Sequence, residues 1–225
     1  MDNMSYMWNE FNIKTFDAET IVYRDGLYCP ELSTIDNENI NKKYDLPVHI
    51  IYVGELKDKN LLNVNVGADN QKVIITGKIK IKSPAVLNIF IKNAGKKSEI
   101  NAHIAIENNS DFEYKCVAEH LYRETSVIVK NKLLAEKNSN TKMSGTAIIG
   151  RDCEKCVSDI SFSAMADENA KIEFMPEQKI YAEPTAADHS ANIYQPTDAQ
   201  ILYLRQSGLG GIDVQNVIKE AFLND

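Results

Sequence analysis

The sequence is poor in the features that announce most functions. It has no run of lysine or arginine, and its formal net charge is −7. A broad nucleic-acid or anionic-membrane footprint needs clustered basic groups, so neither is expected as a partner. No apolar stretch approaches the length of a membrane span. "MDNMSYMWNEF" has neither a basic n-region nor an apolar h-region, so no signal peptide is expected. No GxxxxGK[ST] phosphate loop occurs, so this chain is expected to bind no nucleotide. Cysteine is scarce, at Cys29, Cys116, Cys153 and Cys156. Without an export signal these are expected to be thiols or metal ligands in a reducing cytoplasm, not disulfides. The single tryptophan, Trp8, lies outside the strand-rich region, and the charged residues are scattered. That weakens the reading as a carbohydrate-active enzyme, which lines one groove with carboxylates, arginine and aromatics.

What the chain does have is strands. Its 225 residues suffice for one substantial core with a small appended subdomain. "TIVYRDGLYCPEL" reads as two short strands about Asp25-Gly26, a hairpin signal. "STIDNENINKKYD", 33 to 45, is polar and the best linker candidate. From His49 to about Tyr181, apolar and polar residues alternate in run after run, as in "KVIITGKIKIK" and "AVLNIFIKN". Alternation at period two turns one face inward and one to water. Turn residues separate the runs at roughly 8 to 12 residues, which implies a sandwich, a barrel or a β-solenoid. Exact repeats are absent, but hairpin dipeptides are scarce and the turns are loose, which suits stacked coils slightly better than a meander. The expected organisation is an irregular segment with short strands over 1–45, a β core over 46–195 and a helical end over 196–225.

The end is written in different chemistry. Thr197-x-x-Gln200 after Pro196 is a capping box. Ile201, Leu202, Leu204 and Arg205 continue that helix, and Gly208 fits the position after it, where positive φ is cheap. Val214, Val217, Ile218, Ala221 and Phe222 then recur at three and four residues, giving one apolar stripe on a second helix.

Few side chains stand out as chemistry. His189 sits alone among small and polar residues; a neutral imidazole suits iron, while a lone histidine by a turn is more often a surface residue. Cys153-x-x-Cys156 has metal-ligand spacing but no second pair, and Cys116 and His120 would have to stack beside it to complete a site. Alternation places Cys156, Ser158 and Ile160 on one face, which favours buried structural thiols. His49, His103 and His120 fall in strands and read as ordinary strand histidines. Glu119 and Glu124 flank His120 without a nucleophile or an acid–base pair.

The segment "KIYAEPTAADHSANIYQPTDAQILYLRQSGL" with "DVQNVIKEAF" resembles the C-terminal end of the SufB/SufD family of the SUF iron–sulfur cluster assembly system. Pro176 to Ile180 match the family's last strand, and His189-Ser190-Ala191 its histidine segment. Asp198, Gln200, Ile201, Tyr203, Leu204, Gly208, Ala221 and Phe222 match its helices. Upstream, "KMSGTAIIGRDCEKCVSDISF" resembles a rung of the family, so the resemblance runs from Met143 to the end. It implies a mainly β fold: a right-handed parallel β-helix, or β-solenoid, with a small C-terminal two-helix subdomain. It implies a non-enzymatic scaffold or accessory subunit that works on a transient iron–sulfur cluster. His189 would lie at an interface with a SufB-like subunit or a second copy. Tyr203, Leu204, Arg205, Gly208 and Phe222 would dock a SufC-like ABC ATPase. Cys153 and Cys156 remain the candidate metal ligands outside this pattern. The chain departs from the family at four positions. Ser161 stands where B-type members carry their essential cysteine, and Ala187 where D-type members carry theirs. Ser190 replaces the residue after the histidine, and Ser207 the arginine before Gly208. With the histidine kept and the B-type cysteine gone, the chain is the more D-like, and a structural subunit that has lost cluster chemistry is the alternative.

Overall fold

The computed structural model describes residues 17–183 and 185–224; Trp8 lies outside the described residues. These residues form eleven strands in one continuous sheet, followed by two α-helices. The strands are β1 (Glu19–Arg24), β2 (Leu27–Tyr28), β3 (Val48–Val66), β4 (Lys72–Asn93), β5 (Glu99–Asn108), β6 (Asp111–His120), β7 (Ser126–Ala135), β8 (Asn140–Ile149), β9 (Val157–Ala166), β10 (Lys171–Ile180) and β11 (Ala186–Tyr194). The helices are α1 (Asp198–Gln206) and α2 (Gly211–Asn224). Every strand pairing is parallel except the β1–β2 hairpin.

The pairing order explains the shape. The long strands β3 and β4 each run along both faces of a flattened coil. The first half of β4 pairs with β5, and β7, β9 and β11 follow on that side. Its second half pairs with β6, and β8 and β10 follow on the other. The result is a β-solenoid of about six turns. Lys72 pairs with Glu99 and Glu99 with Ser126, a step of 27 residues, while Ser126 to Val157 is a step of 31. The strand alternation read from sequence is the alternation of burial in the strands from β5 to β9. Apolar columns fill the interior, and each Val, Leu or Ile fully withdrawn from water contributes about 1.5–3 kcal/mol.

A repeat that sequence identity hides marks one edge of the solenoid. Asn70, Lys97, Glu124 and Lys155 all have φ between 54° and 60°. Each is followed by a buried polar or sulfur side chain: Gln71, Ser98, Thr125 and Cys156. Ser98 and Thr125 donate to the carbonyls of Gly95 and Tyr122, three residues back, so the corner carries its own caps.

The solenoid begins earlier than the alternation implies. β1 pairs in parallel with β3 from Glu19↔Val48 and is itself the first rung, so the β core does not start at 46. The expected hairpin is present, with Tyr23 opposite Tyr28 and positive φ at Asp25 and Gly26. The 33–45 segment is no free linker. It contains a 3-10 turn at Asn37–Asn41, buries Ile40 in the main core, and donates a hydrogen bond from the Tyr44 amide to Gln71 Oε1 (2.9 Å). It therefore closes the N-terminal end of the coil.

The C-terminal helices form where the capping chemistry indicates. The Thr197 hydroxyl accepts from the Gln200 amide, the Gln200 side chain accepts from the Thr197 amide (2.9 Å), and Gly208 has φ +91°. Their buried stripe is narrower than the sequence period implies. Only Val214 is buried, Ile218 and Phe222 are partly covered, and Val217 and Ala221 are exposed.

Candidate functional site

Two features converge at the C-terminal end. The first is the end face of the solenoid. The sheet path terminates at β10 on one side and β11 on the other, so both strands present a backbone edge unpaired among the described residues. The inward positions of β10 are Ile172, Phe174, Pro176 and Gln178, all only partly covered. Phe174 stacks on Phe162, which faces it from β9 across the interior, at 5.5 Å between ring centroids. The facing positions of β11 are Ala187, His189, Ala191 and Ile193, and Ile193 is 55 % exposed. The N-terminal end of the same solenoid is closed by its own chain; this end is not covered by any described residue.

His189 ends a column. Register links Ile21, Ile50, Ile75, Ala102, Val129, Ile160 and His189 in successive rungs. The first six are apolar and at most 2 % exposed. The seventh is an exposed imidazole whose backbone amide donates to Asp188 Oδ1 (2.8 Å). Ser161 does not share this face. It pairs with Ser190 on the outward row, beside Asp159 and Asp188, which are paired with each other. Burial, then the charge of Asp188, pushes the Asp159 carboxyl above the ordinary range. Ala187 continues the inward column above Ser158, so Ala187 and Ser161 lie on opposite faces.

The second feature is the helical flank. α2 lies against the outer face of the sheet at β5 and β7, and α1 packs on α2. Tyr194 stacks on Phe222 at 5.8 Å, and Lys132 Nζ lies 5.5 Å from the Phe222 ring centre. Tyr194, Tyr203, Leu204, Val217 and Phe222, with Lys132 and Asn192 at the edge, bound a groove of about 660 Å³. Tyr203 is 69 % exposed. Thus Tyr203, Leu204 and Phe222 share one surface, whereas Arg205 borders a smaller cavity on the other side of α1 and Gly208 serves as the helix stop. The sequence singled out neither Lys132 nor Tyr194. Only the strand register, which sets Asn192 over Ser163 on the outward face, reveals that they meet the helices.

Cys153 and Cys156 sit elsewhere, in a buried corner with Ile149 and Ala182. Cys153 Sγ donates to the His120 carbonyl (3.1 Å) and Cys156 Sγ to the Tyr122 carbonyl (3.2 Å). His120 does stack near them: its Nδ1 meets Thr125 Oγ1 at 2.7 Å, and that hydroxyl meets Cys156 Sγ at 3.2 Å. Cys116 does not; it belongs to the main core, where burial pushes its thiol up to about 12. Burial also raises the Cys153 thiol, keeping it protonated. Among the described residues no group of three or more His, Cys, Asp or Glu is arranged to hold a metal ion. Cys156 occupies the corner position that Ser98 and Thr125 fill in earlier coils, and its Sγ shares the Tyr122 carbonyl with the Thr125 hydroxyl of the preceding coil. Burial holds His49 and His120 down to about 4, and His103 is lowered by burial with Lys130 and Lys132 beside it.

The family model for the SUF system FeS cluster assembly SufBD core domain matches residues 65–222. The chain belongs to the SufBD family. That match reaches well upstream of Met143, across the rungs whose alternation was not diagnostic on its own. The SufBD assignment places the protein in SUF iron–sulfur cluster assembly, within a family that is a non-catalytic component of that system and works generally with the SufC ATPase. No curated protein matches the chain significantly. No helix among the described residues is long and apolar enough to cross a membrane.

Proposed function

We propose that this SufBD-family protein is a scaffold or accessory subunit that handles a nascent iron–sulfur cluster between two β-helix subunits, with His189 as its contribution. The carrying observation is the column that ends at His189: six buried apolar rungs followed by one exposed imidazole on an uncovered end face. A second β-helix, SufB-like or a copy of this chain, would extend both sheets at the β10 and β11 edges and bury Phe174, Ala191 and Ile193. The cluster is cargo. Clusters are commonly held by four protein ligands, mostly thiolates. This end face offers one imidazole and no thiolate, since Ser161, Ala187 and Ser190 carry none, so the partner subunit would supply the remainder. The groove beside Tyr203, Leu204 and Phe222 is the docking surface for a SufC-like ATPase, with Tyr203 already exposed there.

Anaerobic reconstitution tests this, with the chain alone and with a SufB-like subunit and the ATPase, read by visible absorbance and iron content beside His189→Ala. Cluster bands in the assembled complex that fall in the variant are the expected result. An unchanged iron content in His189→Ala refutes the role of His189. A complex that retains the ATPase but never takes iron identifies a structural subunit.

A further inference from the structure

The helical pair is attached to the solenoid in an unusual way. An amphipathic helix ordinarily docks by burying a stripe of several apolar side chains. Here α1 buries no residue and α2 buries only Val214. Ile212 remains 76 % exposed and Leu202 56 %. Beneath the pair the contact is hollow: a cavity of about 200 Å³ lies between Met165, Ile201, Val214 and Ile218, and the groove of about 660 Å³ opens beside it. Apart from the Tyr194–Phe222 stack, what spans the gap is charge. Lys219 Nζ lies 2.7 Å from Asp167 Oδ2 and 3.5 Å from Glu136 Oε2, with Lys219 itself only 21 % exposed. Asp167 and Glu136 directly follow β9 and β7, at the same corner of adjacent coils. At the C-terminal end of α2, within about a turn and a half of Lys219, Lys132 Nζ donates to the Phe222 carbonyl (2.8 Å) and Lys78 Nζ to Asn224 Oδ1 (2.8 Å). Those lysines meet the negative end of the helix dipole. The solenoid flank thus carries acid where α2 is basic and base where α2 is electronegative.

We infer that the C-terminal helical pair is a charge-latched arm: the contacts of Lys219 with Asp167 and Glu136, and of Lys132 and Lys78 with the end of α2, hold it on the flank, and their loss releases it from a solenoid that stays folded. The solenoid does not need the arm, because its interior columns are closed by strand pairing alone. Release frees the Val214, Ile218 and Phe222 stripe, which the closed position partly covers. The latch is a property of this chain by itself and stands whether or not an ATPase docks on that surface.

The test is amide hydrogen exchange on the purified full chain without partners. In the unaltered protein, protection of 211–224 should fall as salt rises from about 0.05 M to about 1 M, where the screening length shrinks to about 3 Å. At low salt, Lys219→Glu should speed exchange of that segment by about tenfold, because it sets like charges against Asp167 and Glu136. Adding Asp167→Lys to Lys219→Glu should restore protection. Strands β7 and β9 should exchange slowly throughout. The inference is overturned if α2 is protected equally at all salt concentrations and in Lys219→Glu. It is also overturned if the double variant fails to restore protection, or if α2 opens only together with β7 and β9.

Discussion

Acid should weaken this fold well before its carboxylates titrate, and the cause is two buried histidines. His49 is 2 % exposed and His120 1 %. Burial holds both down to about 4, against an ordinary value near 6.5. His49 Nε2 meets the Thr76 hydroxyl (2.9 Å), and His120 Nδ1 meets the Thr125 hydroxyl while its buried Nε2 has no partner among the described residues. Because the folded value is depressed, each group's contribution is fully present above pH 6.5 and is lost as pH falls toward 4. The unfolded chain takes up the proton over that window and the folded chain does not. Lowering from about 6.5 to about 4 is worth about 3 kcal/mol per histidine, of which about 2 kcal/mol is gone by pH 5. Two such groups remove on the order of 4 kcal/mol by pH 5, a large part of the 5–15 kcal/mol typical of a folded domain. Glu136 and Asp159, raised by burial, act in the opposite sense at lower pH. The assay is urea denaturation followed by circular dichroism at pH 7, 6 and 5, on the unaltered protein and on His120→Asn. Asparagine is the replacement the structure itself suggests: Asn93 precedes His120 in the same column and bonds Ser98, five residues on, as His120 bonds Thr125. The variant should lose about half of the pH dependence. A stability that stays flat from pH 7 to 5, or a His120→Asn slope equal to that of the unaltered chain, refutes the reasoning.

Further expectations rest on close packing and on the corner repeat. Gly145 faces Ile160 and Phe162, and an added Cβ would lie 2.7 Å from Ile160 Cγ2 and 2.8 Å from Phe162 Cζ; Gly145→Ala should cost about 1–3 kcal/mol by urea midpoint. Gly77→Ala meets chiefly the mobile tip of Ile104 (2.8 Å to Cδ1), so it should cost less, and the reverse order would contradict the packing. Cys156→Ser should change the melting temperature little and leave metal content unaltered, since serine already fills the equivalent corner at position 98; loss of bound iron would make Cys156 a ligand instead. Thr197→Ala should cost about 1 kcal/mol of local stability, read as faster exchange in α1 with an unchanged global unfolding midpoint.

How much of this was legible depends on which physical signal the sequence carries. Strand alternation depends only on one face being wet, so Ile79, Ile81, Leu87, Ile89 and Ile91 declare themselves in any β architecture. The choice among architectures does not, because it depends on which strand pairs with which, and parallel coils need no fixed turn dipeptide. The corner repeat was in plain view yet unreadable. Its positions require a residue that tolerates positive φ and then a small side chain able to reach a carbonyl. Asn, Lys and Glu serve for the first and Gln, Ser, Thr and Cys for the second, so the repeat conserves geometry without conserving letters. The same degeneracy made Cys153-x-x-Cys156 resemble a metal motif when Cys156 occupies a corner position. The capping box at Thr197 and Gln200 was legible because it is a local device within four residues. The first rung at Glu19–Arg24 was not, because its pairing with Val48–Val53 crosses a 23-residue excursion that looks like a linker.

The same reasoning separates the two halves of the candidate site. A residue on the inward face of an interior strand is constrained by the coil above it, and Ile160 and Phe162 could not be polar without cost. The last strand has no coil above it, so packing within this chain leaves its inward positions unconstrained. Yet β11 keeps Ala187, Ala191 and Ile193 there, and β10 keeps Ile172 and Phe174. An end face meant for water has no reason to retain that pattern, whereas an end face that meets another solenoid does. On β11 only His189 breaks the pattern, and on β10 only Gln178 does. In a closed interface that imidazole would stand among apolar neighbours with a ring nitrogen to offer as a ligand. The surrounding apolar rungs therefore prepare the polar group they flank, and the outward face, where Ser161 and Ser190 sit, is free of that constraint.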